Sequence, residues 1–199
     1  MVRIAVTGGI ACGKSRMALY MESCGISVCE ADELAHTALS PDTKVYAGII
    51  DAFGEGILDE AGQIDRRKLG EVVFEDRGKL ARLNALVHPY VKEKISNWIA
   101  DQERLGQKMA VVIIPLLFEA GMESGWDAVI CVGCHPDVQQ KRLIGRGLSI
   151  EECRQRIAAQ MPQSDKMKNS DFVIWNDGSE SLFEQKIDDV LEMIQEKVV

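Results

Sequence analysis

The sequence predicts an α/β fold in which a parallel sheet has helices on both faces and is interrupted by an all-helical insertion. The chain opens with a strand, a glycine-rich turn, a helix and a second strand, an order typical of parallel sheets. Strand patterns then give way to successive helical patterns over residues 32–105. Unbroken apolar runs return at 109–114 and 128–132, as expected for strands that are covered on both faces.

Each predicted element rests on local periodicity and on the residues that end it. Gly25 closes the first helix, and Pro89 is expected to separate two helices because proline lacks the N–H that a helix interior needs. In chain order, we predict strand 4–6, helix 14–21, strand 26–29, helices 33–39, 43–53, 67–74, 79–87 and 90–105, strands 109–114, 128–132 and 172–175, and helix 179–198.

The composition is that of a globular chain with one hydrophobic core, with 46% hydrophobic and 27% charged residues among 199. We predict a single domain, 1–199, with a core of 1–31, 106–138 and 162–199, a helical insertion at 32–105 and a helical lid at 139–161. The N-terminus has no apolar signal segment, and no apolar stretch is long enough for a membrane span. We therefore expect a cytoplasmic protein without a membrane partner, its six cysteines reduced and mostly buried.

The charge distribution favours a small anionic ligand over a nucleic-acid polymer. The net charge is −8, whereas proteins that bind a duplex normally carry a basic face. Residues 139–156 are the exception, with five basic side chains against two acidic ones. A local cationic patch on an acidic protein is suited to a nucleotide.

Residues 8–15 match the phosphate-loop pattern G-x-x-x-x-G-K-[ST] between a predicted strand and a predicted helix. Gly8 and Gly13 permit backbone turns that let successive N–H groups face phosphate oxygens, and the following helix adds its positive end. Lys14 is expected to reach the β- and γ-phosphates, and the Ser15 hydroxyl to bind Mg²⁺. The motif thus predicts a P-loop NTPase-type fold that binds the phosphates of a nucleotide and does not distinguish ATP from GTP.

Three competing motifs fit less well. A Rossmann site needs glycine where Ile10 stands, and it would leave Lys14 without a role. Residues 59–62 spell the D-x-x-G of switch GTPases, but they lie in the helical insertion and the N-K-x-D motif is missing, so we interpret them as a surface turn. Residues 131–135 spell C-x-x-C-H, yet cysteines three apart on a strand point to opposite faces, which argues against haem attachment.

A small-molecule kinase additionally needs a base, an acceptor pocket and cations around the transferred group. Asp32 follows the second strand, at the sheet edge where ligands bind, and is a candidate base as well as a candidate helix N-cap. The insertion would supply the acceptor pocket. Arg142 and Arg146, four residues apart on one predicted helix face, would belong to the lid. Glu119 follows a strand and could contact metal or substrate, or cap a helix.

Several further motifs share their order and spacing with one kinase family. They are Thr7-Gly8-Gly9-Ile10, Glu30-Ala31-Asp32, Gly62-x-Ile64-Asp65-Arg66-Arg67-x-Leu69, Val73-Phe74, His88-Pro89, Pro115-Leu116-Leu117-Phe118-Glu119, Gln139-x-x-Arg142-Leu143-x-x-Arg146, Arg156-Ile157, Gln160 and Asp171-Phe172-Val173-Ile174-x-Asn176. Through these motifs the chain resembles the dephospho-coenzyme A kinases nearly from end to end.

The resemblance implies transfer of the ATP γ-phosphoryl group to the ribose 3′-hydroxyl of dephospho-coenzyme A, the last step of coenzyme A synthesis. It implies a catalytic role for Asp32, as the base, for Lys14 and for Arg142. The implied ATP-binding residues are Gly8, Gly9, Ala11, Cys12, Gly13, Lys14, Ser15, Arg16 and Arg146, and the implied substrate-binding residues are Asp32, Arg66, His88, Leu116 and Glu119. The alternatives are another P-loop kinase that acts on a nucleoside or nucleotide, a hydrolysing ATPase, and a nucleotide-binding regulator.

The chain departs from the family pattern at three positions near the loop. Arg16 replaces a small hydroxyl residue, and Glu30 replaces an aspartate. Ala11 replaces a frequent glycine, a change that costs little if the φ angle at this position is negative.

Overall fold

A computed structural model describes residues 1–74 and 76–198. In chain order, its elements are β1 Val2–Gly8, α1 Lys14–Ser23, β2 Ser27–Glu30, α2 Ala31–Thr37, α3 Lys44–Phe53, a 3₁₀ turn Glu55–Ile57, α4 Arg66–Phe74, α5 Arg77–Arg104, β3 Met109–Ile113, β4 Ala128–Gly133, α6 Pro136–Ile144, α7 Ile150–Ala158, α8 Gln163–Lys168, β5 Phe172–Trp175 and α9 Glu180–Val198. Among the described residues, no helix is both long and apolar enough to cross a membrane.

The five strands form one parallel sheet, which confirms the predicted α/β fold. The strand order is β2-β3-β1-β4-β5, so β1 lies at the centre between β3 and β4. These three central strands are almost entirely buried, and they pack with α1 and α9 into one apolar cluster. Because every strand runs in the same direction, all five carboxyl ends meet at one edge, where β1 leads into residues 8–15.

The chain divides into two compact units. The first comprises residues 1–30 and the chain from Ile99 onward, and it contains the whole sheet. The second, here called the helical unit, spans Ala31–Trp98 and has its own core, formed by Ile49, Ile57, Ile64, Leu69 and Val73. The sequence places the end of the insertion at residue 105 instead. Within the helical unit, residues 59–62 form the predicted turn, in which Asp59 Oδ1 accepts from the backbone N–H of Ala61 at 2.9 Å.

The predicted break at Pro89 is wrong, because α5 runs without interruption from Arg77 to Arg104. All other predicted elements lie within two residues of their observed bounds. A proline inside a helix removes one backbone hydrogen bond. The apolar face of α5 nevertheless continues across it at four-residue spacing, through Leu83, Val87, Val91 and Ile95, each of them buried or half-buried. Burial of this continuous stripe outweighs the local preference of the proline.

Two further differences concern the segment after β4. Helix α6 ends at Ile144, so Arg146 lies in the turn that follows rather than on a helix face with Arg142. Gly147, whose φ angle is 90°, helps to end the helix there. Helix α8 was not expected from the sequence, because six mainly polar residues have no clear apolar periodicity.

The proline in α5 yields a test of this fold. Replacing Pro89 with alanine should raise the free energy of unfolding by about 1–3 kcal/mol, because the new N–H can bond to the carbonyl four residues earlier. Urea unfolding followed by circular dichroism measures the change. The exposed substitution Glu93→Ala on the same helix is the control and should change stability by less than about 0.5 kcal/mol. Equal stability of Pro89→Ala and wild type would contradict an uninterrupted α5.

Candidate active site

The phosphate loop, residues 8–15, connects the end of β1 to the start of α1. Gly8 has a φ angle of 143°, and a Cβ there would collide with the carbonyl oxygen of Val132. Gly13 has a φ angle of 111°, and a Cβ there would collide with the Asn176 side-chain amide. Both glycines of the motif are therefore required by close packing as well as by backbone conformation.

The outer side of the loop is bound by side chains from distant segments. The Asn176 amide donates to the carbonyl of Cys12 at 2.8 Å, and the Gln139 amide donates to the carbonyl of Ile10 at 2.8 Å. Arg142 donates to the carbonyls of Ala11 and Cys12, both at 3.3 Å. These donors fix the orientation of the peptide planes in the second half of the loop.

Lys14 binds the first half of the loop. Its Nζ donates to the carbonyls of Gly8 at 3.0 Å and Gly9 at 2.9 Å. Each of the five carbonyls of residues 8–12 thus accepts a hydrogen bond from a side chain, namely that of Lys14, Gln139, Arg142 or Asn176. Since the C=O and N–H of a trans peptide point in opposite directions, fixing the Cys12 carbonyl turns the Gly13 N–H to the other side. That N–H and the first turn of α1 offer donors to an anion.

Asn176 is the residue that ties the loop to the sheet. It follows β5 and is buried, and its backbone N–H donates to the carbonyl of Gly133 at 2.7 Å. Its own carbonyl accepts from Arg142 at 2.9 Å. Sequence reasoning included Asn176 and Gln139 only in the family motifs and did not assign them to the site. The position of Asn176 directly after a predicted strand was a signal that could have identified it, whereas Gln139 lies within α6 and has no such local signal.

Arg142 is half-buried, and its guanidinium binds three backbone carbonyls, those of Ala11, Cys12 and Asn176. The side chain predicted to be a lid cation therefore holds the backbone of the phosphate loop. Arg146 is exposed.

Ala11 does not meet the condition under which it would cost little, because its φ angle is positive, at 59°. The left-handed conformation costs a residue with a Cβ about 1–2 kcal/mol. The alanine is buried against Leu143 of α6 and Cys153 of α7, and this packing offsets part of the cost. Of the other two departures, Arg16 forms ion pairs with Glu180 and Glu184 of α9, the latter at 3.1 Å.

Glu119 forms an ion pair with a buried lysine beyond the end of β3. Lys166 is fully buried, and its Nζ lies 2.8 Å from Glu119 and 2.6 Å from the carbonyl of Pro115. Glu119 also accepts from the backbone N–H of Met161 at 2.9 Å. Burial acts to raise the pKa of Glu119, but the hydrogen bonds from Lys166 and Met161 outweigh it and hold the pKa below its usual value. Glu119 thus anchors the end of the predicted lid.

The remaining predicted residues occupy two parts of the chain. Ser15 at the start of α1 and Leu116 after β3 are exposed. In the helical unit, Asp32 and Arg66 are exposed, while burial and the charge of Lys92 lower the pKa of His88.

The structure bears on the predicted helix N-cap at Asp32 and on groups of metal-binding side chains. Asp32 lies in the first turn of α2, which begins at Ala31, so it is not the N-cap of that helix. In the part of the chain that the structure describes, no three His, Cys, Asp or Glu side chains are grouped as a metal site.

Known proteins are similar to this chain over most of its length. Residues 2–181 match the family model for dephospho-CoA kinase (CoaE). A dephospho-CoA kinase of Geobacillus kaustophilus is 45% identical over 180 residues, 88% of each chain. Among solved structures, a Thermus thermophilus protein has 32% identity and a TM-score of 0.82, covering 100% of this chain and 98% of the other. The dephospho-CoA kinase from Campylobacter jejuni has 29% identity and a TM-score of 0.72, covering 99% and 98%.

The contact between Asn176 and the loop can be tested by mutation. Asn176→Ala should weaken binding of a nucleoside triphosphate about 5- to 30-fold, because the Cys12 carbonyl loses one of its two side-chain donors. Isothermal titration calorimetry measures the affinity. The control is Asn169→Ala, which removes an exposed asparagine at the C-terminal end of α8 and should leave the affinity at the wild-type value. Unchanged affinity in Asn176→Ala would show that the loop does not depend on this amide.

Proposed function

This chain belongs to the dephospho-CoA kinase family, and on that basis we propose how its residues carry out phosphoryl transfer. The reaction moves the γ-phosphoryl group of ATP to the ribose 3′-hydroxyl of dephospho-CoA, the final step of CoA biosynthesis. The structural observation that supports the proposal best is the phosphate loop, in which side chains bind all five carbonyls of residues 8–12. The ligands are small molecules, and the proposed location is the cytoplasm.

The loop acts by positioning the triphosphate and neutralising its charge. The N–H groups of Gly13 and of the first turn of α1 bind phosphate oxygens, and these donors are already oriented before the reaction. Lys14 exchanges the carbonyls of Gly8 and Gly9 for the β- and γ-phosphates when ATP binds. Arg142 holds the loop by its carbonyls and adds positive charge beside it, and Arg146 adds a further cation from the lid.

The donor set at the start of α1 is suited to Mg²⁺. Ser15 presents a hydroxyl oxygen at an exposed position next to Lys14, and hard oxygen ligands are those that Mg²⁺ prefers. Phosphate oxygens and water would complete the shell, and the ion would neutralise charge on the transferred group.

Asp32 is the proposed base for the acceptor hydroxyl. It stands two residues after β2, whose carboxyl end lies at the same sheet edge as the end of β1. The helical unit binds the acceptor, with Arg66 supplying a cation and His88 a polar contact; in the core, Leu116 and Glu119 follow β3 as further substrate contacts. Glu119 also binds Lys166 and the Met161 N–H, so in addition to that contact it keeps the neighbouring backbone in place.

An acceptor-dependence assay tests the function. ADP release should be rapid with ATP and dephospho-CoA, and at least about tenfold slower with adenosine, AMP or no acceptor, because the complete site forms only around its own acceptor. A coupled enzymatic assay measures ADP, and mass spectrometry of the product measures CoA. Equal ADP release without acceptor would indicate an ATPase, and preference for a nucleoside or nucleotide would indicate a different kinase.

Substitution of the proposed base tests its role separately. Asp32→Asn should lower kcat by about 10²-fold or more and leave the affinity for ATP within about twofold, because the amide cannot accept the proton. Steady-state kinetics and calorimetry measure these two quantities. Asp42→Asn, at another exposed aspartate of the helical unit, serves as the control and should retain wild-type kcat. A wild-type kcat in Asp32→Asn would exclude this residue as the base.

A further inference from the structure

Two buried cysteines meet beneath the phosphate loop. Cys12 belongs to the loop, and Cys134 directly follows β4. Their sulfurs are 3.5 Å apart, and both residues are fully buried. The two cysteines are 122 residues apart in the sequence, so the contact is created by the fold.

The two thiols have different chemical surroundings. Cys134 donates a hydrogen bond to the sulfur of Cys12, and the Cys12 thiol donates to Gln163 Oε1 at 2.9 Å. The hydrogen bond from Cys134 outweighs burial and, with the charge of Lys14, lowers the pKa of Cys12. The same bond raises the pKa of Cys134. Cys131, by contrast, has its pKa raised by burial to about 11, as is typical of an unreactive thiol.

The backbone around Cys134 is rigidly held. The Gln163 side chain binds both its N–H, at 3.3 Å, and its carbonyl, at 2.9 Å. The preceding Gly133 is so closely packed that a Cβ there would collide with Met167. A disulfide is about 2 Å long, so the two sulfurs must approach by about 1.5 Å. Part of that movement must come from the loop.

We propose that Cys12 and Cys134 form a reversible disulfide in the presence of a peroxide, and that this bond prevents the phosphate loop from binding ATP. The Cys12 thiol ionises, and its thiolate attacks one peroxide oxygen and becomes a sulfenic acid; the O–O bond breaks, and the hydroxide that leaves takes up the proton released by the thiol to give water. Cys134 then attacks the sulfenic sulfur and a second water leaves. The two thiols together lose two electrons and two protons, and hydrogen peroxide accepts them. A dithiol reductant reverses the reaction.

The effect on ATP rests on the proposed function of the loop. Displacing phosphate-binding groups by about 1 Å can cost about 10²-fold in rate. The sulfurs are screened from solvent, so peroxide reaches Cys12 when the loop opens. Bound ATP holds the loop and should therefore slow the oxidation.

The experiment treats the full chain with hydrogen peroxide, blocks remaining thiols with an alkylating reagent and analyses unreduced peptides by mass spectrometry. ATP affinity and the initial rate are measured on the same samples. We expect a Cys12–Cys134 linked peptide, a loss of at least about tenfold in affinity and rate, and recovery with dithiothreitol. Saturating ATP present during oxidation should slow the formation of the linked peptide.

Variants identify the partner. Cys134→Ser and Cys134→Ala should bind ATP like wild type and lose the reversible inactivation, whereas Cys24→Ser, at an exposed cysteine, should be inactivated like wild type. Inactivation without the linked peptide, or equal sensitivity of the Cys134 variants, would overturn the proposal. A linked peptide with unchanged ATP affinity would overturn the proposed effect of the disulfide on ATP binding. If untreated protein bound no ATP, the proposed function would fail instead, since the linked peptide is detected independently of activity.

Discussion

The phosphate loop depends on a constraint that applies to every trans peptide: its C=O and N–H point in opposite directions, so holding a carbonyl on one side turns the following N–H to the other. In this protein the five carbonyls of residues 8–12 accept hydrogen bonds from Lys14, Gln139, Arg142 and Asn176. The parallel sheet brings these donors together, because β4 and β5 lie in order beside β1 and end at the same edge.

A second buried polar group organises the other flank of β1. A buried lysine is costly unless its charge is paired, and Lys166 satisfies this requirement with Glu119 and the Pro115 carbonyl. Thr7 donates to the same carbonyl at 3.2 Å. Glu119 also accepts a hydrogen bond from the Met161 N–H. The ion pair therefore connects the segment that follows β3 to the end of the predicted lid, residues 139–161. Polar side chains therefore hold the chain on both sides of the end of β1, those near β4 and β5 on one side and those that follow β3 on the other.

Two of the three residues that depart from the family pattern near the loop contact neighbouring helices. Ala11 packs against the helices that follow β4, and Arg16 pairs with two carboxylates of α9. These contacts join the loop and α1 to neighbouring helices. The loop is consequently coupled to its surroundings through side chains and not only through its backbone.

The sequence by itself determined the α/β fold, the position of the phosphate loop and nearly all element bounds, because each depends on residues close together in the chain. The tertiary structure decided what happens at Pro89, where a buried apolar stripe on both sides overrides a local signal. It also decided the partners of Asn176, Cys134 and Lys166. Asn176 binds a loop carbonyl 164 residues away, and no local periodicity encodes a contact at that separation. Such side chains acquire their roles only when the strand order places them at the same edge of the sheet.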